Sequence, residues 1–149
     1  MQEVIVKFKR LSETAHEPTR ATPDAAGYDL YASGEQDFYV THQGKISMIP
    51  TGIAVEIPDG YFGVLALRSS MAAKRGYAIP NGIGIIDSGY RGEVKLLVQY
   101  FGSGSSDTIQ AGERIGQLII MPLVLVGYDE SKRLSESDRG TGGFGSTGK

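Results

Sequence analysis

The fold turns on Lys45–Arg68, which reads K-I-S-M-I-P-T-G-I-A-V-E-I-P-D-G-Y-F-G-V-L-A-L-R. Its apolar runs, Lys45–Ile49, Ile53–Ile57 and Phe62–Arg68, are strand-length, and Pro58-Asp59-Gly60 is a turn between the last two. The pattern continues outward in both directions. Upstream, Val4, Val6 and Phe8 alternate with Lys7 and Lys9, a period-2 strand, and Asp37–Val40 is a further run. Downstream lie Glu93–Tyr100, Ile115–Met121 and Leu123–Tyr128, with Asp87-Ser88-Gly89 as a second turn. Ser69–Arg75 alone reads as helical, two turns at most. Glycine, at 21 residues, is about twice as frequent as usual and is mostly spread between the runs, as turns would be. There is no internal repeat. These features predict an all-β chain, a sandwich or jelly roll.

At 149 residues and 40% hydrophobic, the chain fits one domain with a real core. A net charge of −2 gives no general attraction to nucleic acid or membrane, so any phosphate affinity must be local. The absence of cysteine excludes disulfides, thiolate zinc sites and cysteine nucleophiles. His16 and His42 stand alone, without a second ligand at metal spacing. No apolar run approaches the roughly 20 residues that span a bilayer, and Met1-Gln2-Glu3-Val4 leads straight into a strand pattern. An intracellular, cytoplasmic protein is the expectation, with a nuclear or virus-encoded one also open.

The end of the chain differs in kind. Asp129–Asp138 is dominated by charge, with Leu134 its only large apolar residue, and Arg139–Lys149 is glycine-rich around a single aromatic, Phe144. Such a segment cannot join a core by itself and is expected to be a mobile arm. Gly143-Phe144-Gly145-Ser146-Thr147-Gly148 matches the G-x-G-x-x-G dinucleotide fingerprint in letters only. That motif works between a strand and a helix N-terminus, and here a charged linker precedes it.

Three clusters remain. Ser69 and Ser70 follow Arg68 at a strand end and open the short helix, where unpaired N–H groups and a guanidinium suit phosphate. Asn81–Gly92, N-G-I-G-I-I-D-S-G-Y-R-G, runs apolar residues into an aspartate at a hairpin. A carboxylate held there can orient and deprotonate water. Gly27-Tyr28-Asp29-Leu30 sets an acid among apolar strand residues, where it needs a partner such as water or hydrated Mg²⁺. Taken singly, each has a plainer reading: a serine cap, a turn-forming aspartate, an acid at a strand edge.

Taken in order, the clusters resemble the five motifs of the trimeric dUTP diphosphatase (dUTPase) family. Ala25–Tyr31 is similar to the first, Arg68–Ala72 to the second with Met71 where leucine is common, and Asn81–Gly92 to the third. Gly112–Leu118 is similar to the fourth, with Gly116 for the usual alanine, and Arg139–Gly148 to the fifth. The match runs from about Val4 to Lys149.

This resemblance implies a jelly-roll (β-clip) domain over residues 1–128, then a linker and arm over 129–149 completing a neighbouring active site. It implies a homotrimer with shared active sites that hydrolyses dUTP to dUMP and pyrophosphate, limits uracil in DNA and supplies dUMP for dTTP synthesis. Asp87 would activate the water that attacks the α-phosphorus, and Asp29 would meet Mg²⁺ through bound water. Arg68, Ser69, Ser70 and Gln117 would hold phosphate, joined by Arg139, Ser146 and Thr147 from the arm. Asn81, Gly84, Ile85, Ile86 and Lys95 would read the uracil edge, Tyr90 would lie under the deoxyribose, and Phe144 with Gly145 would cover the base.

Two other readings compete. A deaminase of the same superfamily would carry a glutamate five residues beyond Gly92, where this chain has Leu97. A non-catalytic nucleotide-binding protein would not need Asp87, Arg139 and Phe144, all of which are present.

Overall fold

A computed structural model describes residues 3–42 and 44–143. In chain order the strands are β1 (Lys7–Arg10), β2 (Tyr28–Tyr31), β3 (Phe38–Thr41), β4 (Ser47–Glu56) and β5 (Tyr61–Leu67). After helix α1 (Ser69–Arg75) come β6 (Tyr77–Ala78), β7 (Gly84–Ile86), β8 (Glu93–Tyr100), β9 (Ser106–Ile109) and β10 (Arg114–Pro122). They pair antiparallel into two four-stranded sheets, β1-β4-β8-β6 and β2-β10-β5-β7, and a ribbon β3-β9. This is the all-β jelly roll expected from the pattern of short runs. The core draws Ile49, Ile53, Val94, Leu96 and Val98 from one sheet, Leu30, Leu65, Ile115 and Leu118 from the other, and Val40 and Ile109 from the ribbon.

β8 shows the alternation that organises the fold. Val94, Leu96, Val98 and Tyr100 point inward and are buried, while Glu93, Lys95, Leu97 and Gln99 line the opposite face. β4, its neighbour, unites two runs that the sequence pattern separates, Lys45–Ile49 and Ile53–Ile57. The pairing register shifts between Pro50 and Ala54, so the irregularity at Thr51-Gly52 is a bulge inside one strand. Gly52 takes a φ of 66°, and a Cβ there would collide with Ser33, Ser12 and Ala15. Its N–H donates to Glu93 Oε1 at 2.9 Å, and the Thr51 hydroxyl donates to the Val94 carbonyl at 2.5 Å.

The run Leu123–Tyr128, read as a strand, is not one. β10 ends at Pro122, and Val124 and Leu125 are 77% and 90% exposed. One chain offers this segment no facing surface, and proline lacks the N–H that would continue the ladder. No helix among the described residues is long and apolar enough to cross a membrane.

α1 spans the residues read as helical and ends on Gly76 in the left-handed region, φ 74°. Its last residue, Arg75, ties it to the ribbon and to the start of β10. The guanidinium donates to Asp107 Oδ2 at 2.8 Å, to the Thr108 carbonyl at 2.6 Å and to Glu113, and it lies 5.3 Å from the Tyr77 ring centre. Burial pushes the Asp107 carboxyl up, but the Arg75 hydrogen bond and the Thr108 N–H prevail and hold it below the usual carboxylate range. The folded pKa is the lower one, so Asp107 stabilises the fold fully above the unfolded value of about 4 and ceases to as the pH falls through the folded value. Asp107→Asn is therefore expected to be less stable than the unaltered protein at neutral pH, with the gap closing on acidification. Chemical denaturation at a series of pH values checks this, and a gap that does not change with pH would refute it.

Candidate active site

Asp29 lies in the middle of β2 and is buried, with 1% of its surface exposed. A buried carboxylate persists only when its charge is matched. Here Arg114 donates to Oδ2 at 3.1 Å, Gln117 donates to Oδ1 at 3.1 Å, and Arg68 Nε stands 3.4 Å from Oδ1. Pairing register explains the convergence. Gln117 lies directly opposite Asp29 on β10 and opposite Ala66 on β5, so Arg68 follows two residues beyond that row. The register shifts between Arg114 and Gly116, which brings Arg114 opposite Tyr31. Tyr31 is two residues from Asp29 and hence on the same face, while Ile115 turns inward and is fully buried.

Residues from the first, second and fourth motifs are thus brought together by one carboxylate. Arg114 belongs to the quoted Gly112–Leu118 stretch, yet sequence reasoning gave it no role. Nothing linear in G-E-R-I-G marks which face the arginine takes, because the bulge decides it. Gly116 has its own explanation: a Cβ there would run into Leu96 from the facing sheet and sit 2.9 Å from the Ala66 carbonyl. The larger Leu96 occupies the space that an alanine methyl would need.

Arg68 precedes α1 in extended conformation and occupies its N-cap position, but no side chain caps the helix. The serines are therefore not ordinary caps. Ser69 is exposed and Ser70 half-buried, at the first turn.

The second assembly forms where β7 passes into β8. Asp87 follows Ile86 at the end of β7 and is exposed, and the Tyr90 N–H closes the turn on the Asp87 carbonyl at 3.1 Å. Tyr90 folds back over the turn, its hydroxyl donating to the Glu93 carbonyl at 3.0 Å. A Cβ at Gly92 would stand 2.6 Å from Tyr90 Cζ, so a larger residue there would push the Tyr90 ring out of this position. Asp87 and Tyr90 share a cavity of about 280 Å³ with Met48, Ile85, Ile86, Glu93, Lys95 and Leu97. Lys95 Nζ pairs with Glu93 Oε2 at 3.2 Å. Leu97 lines this cavity, so the position where a deaminase would need a carboxylate is apolar and faces the cleft. Gly84 and Asn81 precede it, Asn81 exposed next to Gly82, which has a φ of 81°.

Asp29, Arg68, Ser69, Ser70 and Gln117 do not line that cavity. Arg139 is exposed and its Nε donates to the Gly142 carbonyl in its own turn at 3.1 Å. Phe144, Gly145, Ser146 and Thr147 lie outside the described residues.

For a magnesium site, the arrangement around Asp29 is a poor fit. The carboxylate is buried and its oxygens face two guanidinium groups and an amide, so no hydrated ion reaches them as they stand. Among the described residues no three His, Cys, Asp or Glu side chains cluster as metal ligands.

Phosphate-type donors gathered on one sheet, and an exposed aspartate beside a ring-sized cleft, suit a nucleotide hydrolase built on a β sandwich. The dUTPase family model matches residues 13–148. Two relatives named deoxyuridine 5′-triphosphate nucleotidohydrolase agree. That of Clostridium tetani is 40% identical over 149 residues, all of both chains. That of Anaplasma marginale is 42% identical over 131 residues, 88% of each. The chain belongs to the dUTPase family. In structure it is similar to the dUTPase of Staphylococcus bacteriophage 80alpha with dUpNHpp, at TM-score 0.88 and 29% identity over 97% of this chain and 98% of that one. It shares its fold with a mutant dUTPase of phage phi11 of S. aureus, described with a structural Mg(II) ion, at TM-score 0.77 and 24% identity over 87% and 97%.

Removing the shared carboxylate leaves Arg68 and Arg114 facing each other unpaired. Asp29→Ala is expected to cost roughly 1–2 kcal/mol of stability, less than a fully buried pair because the Arg68 and Arg114 side chains are 28% and 44% exposed, with or without Mg²⁺. Urea unfolding in EDTA checks it. A loss that appeared only when Mg²⁺ was present would return Asp29 to the role of metal partner.

Proposed function

We propose that this chain hydrolyses dUTP to dUMP and pyrophosphate, with Asp87 activating the attacking water. The observation that carries the reading is the placement of Asp87 and Tyr90 on one cavity, in a chain whose full-length relatives are named for this reaction. Asp87 stands exposed at the cavity's lip, within reach of a water held against the α-phosphorus. The water loses its proton to the carboxylate as its oxygen bonds to phosphorus, and the bond to the bridging oxygen breaks, releasing pyrophosphate. Charge building on that leaving group calls for fixed donors. Arg68, Ser69, Ser70 and Gln117 supply them, with Asp29 as the anchor that orients Arg68 and Gln117. Magnesium, when bound on the triphosphate, adds neutralising charge while keeping most of its water shell.

The deoxyribose lies against Tyr90, where a ring packed on Gly92 leaves no room for a 2′-hydroxyl. The base is read by Asn81 and by backbone along Gly84, Ile85, Ile86 and Lys95. From the arm, residues 129–149, Arg139, Ser146 and Thr147 close on the outer phosphates, and Phe144 with Gly145 covers the base. Stacking of that kind is worth roughly 1–3 kcal/mol.

The complete site is shared between copies of the chain in a homotrimer. Three features support this: the phosphate donors sit apart from the nucleoside cavity, Leu123–Val126 is apolar and uncovered, and an apolar groove runs along Val4, Val6, Phe8, Tyr28 and Leu118.

Pyrophosphate release measured with Mg²⁺ and each of dUTP, dTTP, dCTP and UTP tests the reaction; release from dUTP alone is expected, and none from any would refute it. Asp87→Asn is expected to lower kcat by about a hundredfold or more while keeping nucleotide binding. Near-normal turnover would remove Asp87 from its role. Co-refolding Asp87→Asn chains with Arg68→Ala chains is expected to restore part of the activity that each lacks alone. No recovery in a mixed assembly would place both residues in sites made by one chain.

A further inference from the structure

We propose that Met48, set against Leu97, forms the end wall of the base pocket and is a specificity-determining residue that rejects pyrimidines enlarged at the ring carbon that uracil leaves unsubstituted. This rests on the reading of Asp87 as the water-activating group, because that reading orients the cavity.

The cavity runs between two different elements of the fold. At one, the turn after β7 presents Asp87 and Tyr90. From there its floor follows the outward face of β8, through Glu93 and Lys95 to Leu97. Four residues of strand cover about 13 Å, enough to lay a sugar and a pyrimidine end to end. If the reacting phosphorus is at Asp87 and the sugar at Tyr90, the base must extend toward Leu97.

Register identifies what closes that end. Met48 on β4 is the direct partner of Leu97, and Pro50 is the direct partner of Lys95. Met48 and Leu97 therefore project to the same face, side by side, as Ile49 and Leu96 do on the inward face. The bulge at Thr51-Gly52 holds this register through the Gly52 bond to Glu93, so the wall and the floor of the cavity are fixed to each other.

Ile85 and Ile86 line the cavity from β7, next to Asp87, while Met48 and Leu97 are the apolar pair at the far end of its β8 floor, and Met48 is 58% exposed. A large apolar side chain left in solvent on a strand, at the rim of a cleft, is one that a ligand can cover. Its unbranched thioether adapts to a flat ring edge and packs well against it. A ring already in contact with that side chain has no space for one methyl more, and overfilling a packed contact is unfavourable. Truncation to alanine removes more volume than a methyl adds, so it opens the wall to the larger base.

The test is the ratio of kcat/KM for dTTP to that for dUTP, measured for the unaltered protein, Met48→Ala and Met48→Leu, with 5-bromo-dUTP as a second enlarged base. Met48→Ala is expected to raise the ratio roughly tenfold or more, the range one methylene commands in an apolar pocket. Met48→Leu, close in volume, is expected to keep the ratio low. An unchanged ratio in Met48→Ala, with dUTP still hydrolysed, overturns the wall and leaves the reaction intact. Failure of the unaltered protein to hydrolyse dUTP would instead overturn the reading on which the wall rests.

Discussion

One buried carboxylate organises half of the site. Asp29, on the face of β2 opposite the core residue Leu30, could not be buried there as an isolated charge, since transfer out of water would cost far more than the fold can supply. It is held because β10 and the end of β5 deliver two guanidinium groups and an amide to its oxygens. Those donors are in turn held in place by the acid. Arg68 and Gln117 are long, flexible side chains whose aim toward an incoming phosphate would otherwise be lost to rotamer freedom. The carboxylate thus converts a structural need, charge neutrality inside a sheet, into a fixed array of donors.

The other half depends on backbone rather than on charge. The turn between β7 and β8, which join different sheets, sets Tyr90 against Gly92, and the bulge in β4 sends the Gly52 N–H to Glu93. Between them these contacts hold the turn and the β8 floor of the cavity that Asp87 and Tyr90 share. Asp87 stands at the lip, exposed, where a water can reach it. The cavity is lined by Met48, Ile85, Ile86 and Leu97 as well as by charged side chains, with the exposed Asp87 carboxylate among them.

Arg75 ties down the surroundings of the first half. It pins α1, which begins with the two serines, to Asp107 of the ribbon and Glu113 at the head of β10. Glu113 neighbours Arg114, so the placement of the helix, the start of the strand and the arginine on Asp29 are mechanically one unit.

Much of this was legible in the chain before any coordinates. Period-2 alternation in Glu93–Tyr100, turn residues at Pro58-Asp59-Gly60 and the single short helical stretch were enough for an all-β sandwich, because side-chain period and turn chemistry are local properties. The five ordered motifs were enough for the family. What the chain could not reveal are facts of register. The single extra residue on β10 between Arg114 and Gly116 moves the side chain beyond it to the opposite face, and nothing local announces it. That shift decides the face of Arg114, which linear sequence leaves without a role, and the irregularity between Pro50 and Ala54 joins Lys45–Ile49 and Ile53–Ile57, two runs in the sequence, into one strand. Leu123–Tyr128 carried strand-like residues but found no sheet, since a strand needs a neighbour and one chain provides none. Local pattern thus determined the fold class, and the ordered motifs determined the family and the candidate site groups. Only the tertiary structure decided which of those groups share a face, because strand pairing, a relation between distant segments, sets where each side chain points.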